Sequence, residues 1–475
     1  MQTSVKKVVK VIARQTIGRL PQPSSRLSGT LAIEGGKRVR DVRLRPWADY
    51  HDGSLVQWLF RMRPILRSIF VSGVEGAPQP LAKQFAQQWA EYCGCRHGLL
   101  LGHGTDALRI ALAAALDHDG LDYGGEVIIP NLSFIATATA ALDRRLGLAL
   151  VDVEPDTLLL DPRRVEEAII PGKTRAIMPV HLFGQPANMT TLRDIARRHG
   201  LKLIEDAAQA HGSAWETGPS GSLGDAAGFS FQSHKNLTCG EGGALTTNDE
   251  QLFERAYSLH NVGRSLERND RWEHVTLGWN CRITEYQAAL LVERFRRFER
   301  EQERRHRNYF KLQEMLRETS CVEPLATHPG VRKHGVHMFV MRYKLENCGG
   351  LPLDDFLRRC GAEGAPIYRG YKCTIARQLA IEQLIEKRPE YFRLMPTPVA
   401  DQATRELIYI PQNVFLGTDH DMSDIAAAIR KVQQHYAART VATRSSTKVF
   451  LERTSRENDR SDQPPESRER RTSQV

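Results

Sequence analysis

The chain has 475 residues, 41% of them hydrophobic and 7% aromatic, with a formal net charge of +10. Such a length exceeds what one core fills, so two domains with extensions are expected. No apolar run approaches the ~20 residues that cross a bilayer, which removes a membrane-spanning role from the expectations. The basic surplus lies mainly in the two ends, around Lys6 to Arg45 and Arg439 to Arg471. It lacks the aromatic interleaving or fold motif of a nucleic-acid binder, so no nucleic-acid partner is expected. Eight cysteines scattered from Cys93 to Cys373 form no disulfide framework, and Cys93-Gly-Cys95 has no second pair at metal-ligand spacing. Reduced thiols, a cytoplasmic location and no metal follow as expectations.

Residues 1–45 read as an extended arm, in which Lys6, Lys7 and Lys10 interrupt any signal-peptide apolar segment. Leu81, Phe85, Trp89 and Tyr92 then share one helical face. A short strand (Gly98 to Leu101) leads through a turn into a helix carrying Leu108, Ile110, Leu112 and Leu116. Further apolar strands are expected at 126–130, 148–152, 175–180 and 201–205, with helices between them. One helix starts at Asp161-Pro162, with Asp as N-cap and Pro at the first helical position. This alternation predicts an α/β fold, a mostly parallel sheet with helices on both faces. A long charged helix from about Thr284 to Arg317 leads into a smaller α+β region. The domain expectation is an arm (1–45), a large cofactor domain (46–300), a small C-terminal domain (301–437) and a polar, disordered tail (438–475).

Three segments carry chemistry. The turn Gly102-His-Gly104-Thr105-Asp106-Ala107 joins a strand to a helix, and its free backbone N–H groups with the helix dipole suit an anion. It also fits the dinucleotide pattern G-x-G-x-x-A. That pattern wants an acid at the end of the next strand, whereas this strand ends at Pro130-Asn131. The second segment, Leu203-Ile-Glu-Asp206-Ala-Ala-Gln209-Ala-His211-Gly212, is an apolar strand ending in a carboxylate, where an open α/β sheet presents residues to a ligand. The third places Lys235 between the apolar run from Phe229 and the glycine-rich turn Gly240-Glu-Gly-Gly243. A buried amine loses proton affinity and becomes a nucleophile toward aldehydes. A lysine facing a carboxylate is the pair that pyridoxal phosphate needs.

Together these segments resemble the DegT/DnrJ/StrS family of sugar aminotransferases, fold-type I pyridoxal-phosphate enzymes, over roughly residues 30–437. The motifs stand in the family's order: Gly-Thr-Asp-Ala-Leu108, Pro130-Asn-Leu-Ser-Phe134, His181-Leu-Phe-Gly184, Glu205-Asp-Ala-Ala-Gln-Ala-His-Gly212, Ser230 to Lys235-Asn-Leu, Gly240 to Gly243, and Leu277-Gly-Trp-Asn280-Cys-Arg282. The resemblance implies that Lys235 binds pyridoxal 5'-phosphate as an imine and moves the proton, with Asp206 on the ring nitrogen. It implies Gln209 near the ring hydroxyl, Phe134 stacked on the ring, and Gly104, Thr105 and Ser230 on the phosphate. Asn280 would reach the phosphate of a neighbouring subunit, making a homodimer with shared sites, and His337 would lie near substrate. His181 and His211 are expected to be structural. The implied reaction is ping-pong transfer from glutamate or glutamine to a keto-sugar, nucleotide-linked, or a cyclitol ketone. Leu31-Ala-Ile-Glu-Gly-Gly-Lys-Arg-Val-Arg40 with Arg45-Pro-Trp47 is similar to the opening of the branch acting on inososes. His103, Trp279 and Val262 depart from the family's usual residues. Two rival readings are a nicotinamide-dependent oxidoreductase, which leaves Lys235 and Asp206 idle, and a non-catalytic regulator that keeps the fold.

Overall fold

A computed structural model describes residues 30–40, 60, 62, 63, 69, 80–266 and 272–436. Most of the expected arm, the Arg45-Pro-Trp47 segment and the tail from 438 lie outside these residues.

The strands in chain order are β1 (His97–Leu101), β2 (Glu126–Pro130), β3 (Gly147–Val151), β4 (Thr174–Ile177), β5 (Lys202–Asp206), β6 (Ala214–Trp215), β7 (Gly218–Pro219), β8 (Ala226–Ser230), β9 (Gly243–Thr247), β10 (Val322–Pro324), β11 (Val331–Lys333), β12 (Met338–Tyr343), β13 (Tyr368–Arg369), β14 (Phe392–Leu394) and β15 (Leu407–Pro411). Eight of them form one sheet in the order β1-β9-β8-β5-β4-β2-β3-β14. All its pairings are parallel except the two made by β9, which runs against both β8 and β1. The chain is therefore α/β as expected, with the sheet buried on both faces.

Side-chain alternation builds the two faces. Val127 and Ile129 of β2 and Ile204 of β5 enter one core with the helix Gly104–Leu116, while Ile128 and Leu203 enter another. Phe85 and Trp89 of the helix Pro80–Tyr92 pack in a third cluster with Phe229 and Phe231. Asp161 caps its helix as expected, accepting from the Arg163 N–H. The long helix runs Glu285–Met315 and opens on a capping box between Thr284 and Gln287.

The C-terminal region has its own antiparallel sheet, β10-β12-β15-β13, whose core includes Phe339, Phe356, Phe415 and Ile425. The chain then returns once to the large sheet, where β14 pairs in parallel with β3. Residues 31–40 lie along this small region. Leu31 is fully buried, and the backbone N–H groups of Ala32 and Val39 donate to the Glu363 carboxylate, which also pairs with Lys431 at 2.9 Å.

Candidate active site

The carboxyl ends of β5 and β8 and the start of the Gly104–Leu116 helix meet at one place. The helix begins at Gly104 because His103 is extended, and the His103 side chain makes no cap. Its first-turn N–H groups are thus left for an external acceptor. A Cβ on Gly104 would stand 2.7 Å from Cβ of Ser230, so only glycine lets the helix start this close to the end of β8. The expected turn, Gly104, Thr105 and Ser230, is brought together.

Asp206 ends β5 and is buried. Its Oδ2 accepts from Thr137 Oγ1 at 2.7 Å and its Oδ1 from the Ala208 N–H at 3.2 Å. Ser133 Oγ, 2.9 Å from Thr137 Oγ1, supports that donor. Burial pushes the Asp206 pKa up, against the hydrogen bonds and the attraction of Lys235. Lys235 follows β8 and is half-buried. Desolvation pulls its amine down to about 8, while Asp206 acts in the opposite sense. Each group thus lies within electrostatic reach of the other. At pH 8 about half of such an amine is neutral and nucleophilic.

Gln209 is fixed at both ends of its amide. Its Oε1 accepts from the Phe183 N–H at 2.8 Å and its Nε2 donates to the Tyr371 hydroxyl at 3.2 Å. The first contact explains the His181-Leu-Phe-Gly184 motif. Phe183 sits at φ 61°, a costly conformation for a bulky residue. Gly184 follows because a Cβ there would lie 2.7 Å from the backbone nitrogens of Val336 and His337.

The remaining expected residues divide. Phe134, on the loop after β2, is 59% exposed. His337 is buried, with Nδ1 3.3 Å from Oδ1 of Asn236, and burial together with Lys235 holds it neutral. It thus adjoins the Lys235-Asn236 segment. Asn280 is exposed and pairs with Asn261, while its neighbour Cys281 accepts from the Gly102 N–H at 2.8 Å. His181 donates from Nε2 to Glu205 at 2.8 Å, since its Nδ1 accepts from the Ala187 N–H. His211, packed among Trp89, Phe229 and Phe231, is driven to about 3 by burial. Of the two, His181 is bonded at both ring nitrogens. Among the unusual residues, Trp279 lies between the guanidinium groups of Arg109 and Arg144, at 4.7 and 4.6 Å.

Sequence reading missed Thr137, Tyr371 and Asn236. Thr137 carries a signal, standing one helical turn after Ser133 where the loop enters a helix. Tyr371 is 162 residues from its partner Gln209, and no local pattern announces it.

An uncapped helix start with a glycine cradle, a buried carboxylate and a lysine of lowered pKa fit a phosphorylated pyridine aldehyde. Comparison with known proteins agrees. The model of the DegT/DnrJ/EryC1/StrS aminotransferase family matches residues 70–420. The chain is 36% identical over 428 residues to an L-glutamine:2-deoxy-scyllo-inosose aminotransferase of Streptoalloteichus tenebrarius, covering 86% of this chain and 98% of that one. It is 33% identical over 432 residues to an L-glutamine:scyllo-inosose aminotransferase of Streptomyces griseus, covering 86% and 98%. Among solved structures, DesI in the presence of its TDP-sugar product superposes with a TM-score of 0.73 at 26% identity, covering 88% of this chain and 99% of that one.

Proposed function

Because the chain belongs to the DegT/DnrJ/EryC1/StrS aminotransferase family, we propose that it moves the amino group of L-glutamine to a cyclitol ketone of the inosose class with pyridoxal 5'-phosphate. The observation that carries this reading is a buried carboxylate, Asp206, within electrostatic reach of the Lys235 amine, whose proton affinity burial lowers. The donor and acceptor follow from relatives about a third identical over nearly their whole length, whose names specify glutamine and inososes.

Bound pyridoxal phosphate supplies an aldehyde carbon and an electron-poor ring that absorbs negative charge. The chain's residues do the rest. The Gly104 and Thr105 N–H groups and the Ser230 hydroxyl would hold the phosphate. Asp206, kept in place by Thr137 and Ala208, would hold a proton on the ring nitrogen. Gln209 would lie beside the ring hydroxyl, with Phe134 across the ring face. Lys235 Nζ takes the proton from the donor's α-carbon and returns one to the carbon that receives nitrogen. Its lowered pKa lets it act in both directions near neutral pH.

A homodimer with shared sites belongs to the same reading. Trp272 and Leu277, 86% and 78% exposed on the segment before Asn280, offer apolar area that a second copy would cover. The eight free thiols, seven of them buried, suit a cytoplasmic setting. Among the described residues no helix is long and apolar enough to cross a membrane. A nucleotide-linked keto-sugar is the second acceptor reading, favoured by the likeness to DesI with its TDP-sugar product.

The test is a half-reaction screen on the purified protein. The cofactor is loaded with amine from glutamine, and scyllo-inosose, 2-deoxy-scyllo-inosose and a TDP-keto-sugar are offered in turn. The inososes should restore the aldehyde-form absorbance, and a response to the nucleotide sugar alone would replace the acceptor. Lys235→Ala should abolish both the borohydride-sensitive band and transfer. Retained transfer refutes the lysine assignment.

A further inference from the structure

Behind Lys235 lies a buried polar network that the proposed chemistry does not use. Its centre is Arg305 of the long helix, fully buried. Arg305 Nε donates to Gln412 Oε1 and Nη1 to Gln302 Oε1, both at 2.8 Å. Its Nη2 lies 3.4 Å from Glu301 and from the carbonyl oxygen of Asn236. Gln412, in the 3-10 turn after β15, donates from Nε2 to the carbonyl of His234 at 3.4 Å. The carbonyls on both sides of Lys235 thus accept from side chains outside the large sheet.

Asn236 tightens the arrangement. Its Nδ2 donates to Gln302 Oε1 at 3.0 Å and to the Gly335 and Val336 carbonyls at 2.7 and 3.1 Å. That commits its Oδ1 to accepting, from Nδ1 of His337. Gln302 also donates to the His211 and Gly335 carbonyls. Holding a guanidinium in such a place is costly, and a purely structural network could be built from neutral amides. The ring of contacts joins the lysine loop, the long helix and the small sheet, three parts with no sequence proximity.

We infer that Arg305 and Gln412 are positioning residues for Lys235, fixing the backbone on either side of it so that the amine stays desolvated against Asp206. The inference rests on the assignment of Lys235 as the residue that binds the cofactor. Asp206 on β5 acts on the amine, which is itself within electrostatic reach of His211 and His337, while His234 is its chain neighbour and Arg305 meets the carbonyl of Asn236. Loosening the loop admits water and removes the penalty on the ammonium form.

The experiment follows the capture of pyridoxal phosphate by cofactor-free protein, by visible absorbance, across pH 6–10. In the wild-type protein capture should rise with pH with a midpoint at about 8. Gln412→Leu, close in volume, and Arg305→Met should move that midpoint upward and slow capture at pH 7.5 at least about tenfold, one pKa unit being a factor of ten in neutral amine. Lys311→Ala, on the same helix as Arg305, removes a surface ion pair with Asp419; it is the control and should leave the midpoint in place. Thermal melting is recorded for each. A lower melting temperature with an unmoved midpoint makes the network merely structural and overturns the inference. Should Arg305→Met fail to fold, Gln412→Leu decides alone. Failure of the cofactor assignment has a different signature, since Lys235→Ala would then capture the aldehyde as the wild type does.

Discussion

Glu205 and Asp206 are adjacent carboxylates on one strand, and the molecule treats them oppositely. The strand's alternation sends them to opposite faces of the sheet. Glu205 meets four donors: the Nε2–H of His181 and the backbone N–H groups of Gly221, Leu223 and Gly224. Asp206 meets two, the Thr137 hydroxyl and the Ala208 N–H, together with a lysine that is itself short of solvent. Satisfied buried charge belongs to structure. Buried charge left with an unused face, opposite an amine of lowered pKa, belongs to chemistry. The same contrast separates His181, bonded at both nitrogens, from any role in transfer.

The comparison can be broken most directly at Glu205. Glu205→Ala strands His181 and three N–H groups, and breaking a buried pair of this kind costs about 3–5 kcal/mol. That is a large share of the ~5–15 kcal/mol of a typical fold. Urea unfolding of the cofactor-free variant checks it, and a loss below about 1 kcal/mol would deny the structural role. Asp206→Asn should behave in reverse. Folding survives while turnover falls on the order of 10³-fold, within the range for losing one positioned electrostatic or acid–base group. The same variant sharpens the electrostatics. Asp206 raises the Lys235 pKa, so its neutralisation should move the pH midpoint of cofactor capture below about 8. An upward movement would mean that the two groups do not face each other.

The pair was legible in the sequence because Asp206 ends one apolar strand and Lys235 follows another, and strand ends are where an open sheet delivers side chains. The faces were legible too, through Ile204 and Leu203 falling in different cores. The supports of the pair were not. Tyr371 reaches Gln209 across 162 residues, and Gln412 reaches the lysine loop across 178. Such contacts depend on how the small sheet docks, which no local period encodes. The return of β14 to the large sheet belongs to the same class: three residues, Phe392–Leu394, paired with a strand far upstream. His337 adds a contact of the same kind, since its Nδ1 meets Oδ1 of Asn236 across 101 residues.

Between the large effects and the small stands the helix start. Gly104→Ala puts a methyl 2.7 Å from the Ser230 side chain. Overpacking of this kind costs about 1–3 kcal/mol, so cofactor affinity, measured by equilibrium titration, should weaken by roughly tenfold. Melting of the cofactor-free protein should move less than the holoprotein. Equal shifts would place the strain in the core rather than at the phosphate turn.

The smallest effect is expected at Phe134, where burial and function point apart. A core phenylalanine would be covered by the fold, yet this one is 59% exposed while its neighbours Leu132 and Ser133 are buried. An aromatic ring left uncovered beside two buried neighbours has its contact still to make. Aromatic stacking contributes on the order of 1 kcal/mol beyond buried area. Phe134→Leu keeps apolar bulk and removes the ring face, so pyridoxal phosphate should bind about fivefold more weakly, with unfolding of the cofactor-free protein unchanged. A stability loss in the cofactor-free form, at unaltered affinity, would return Phe134 to the structural class that Glu205 represents.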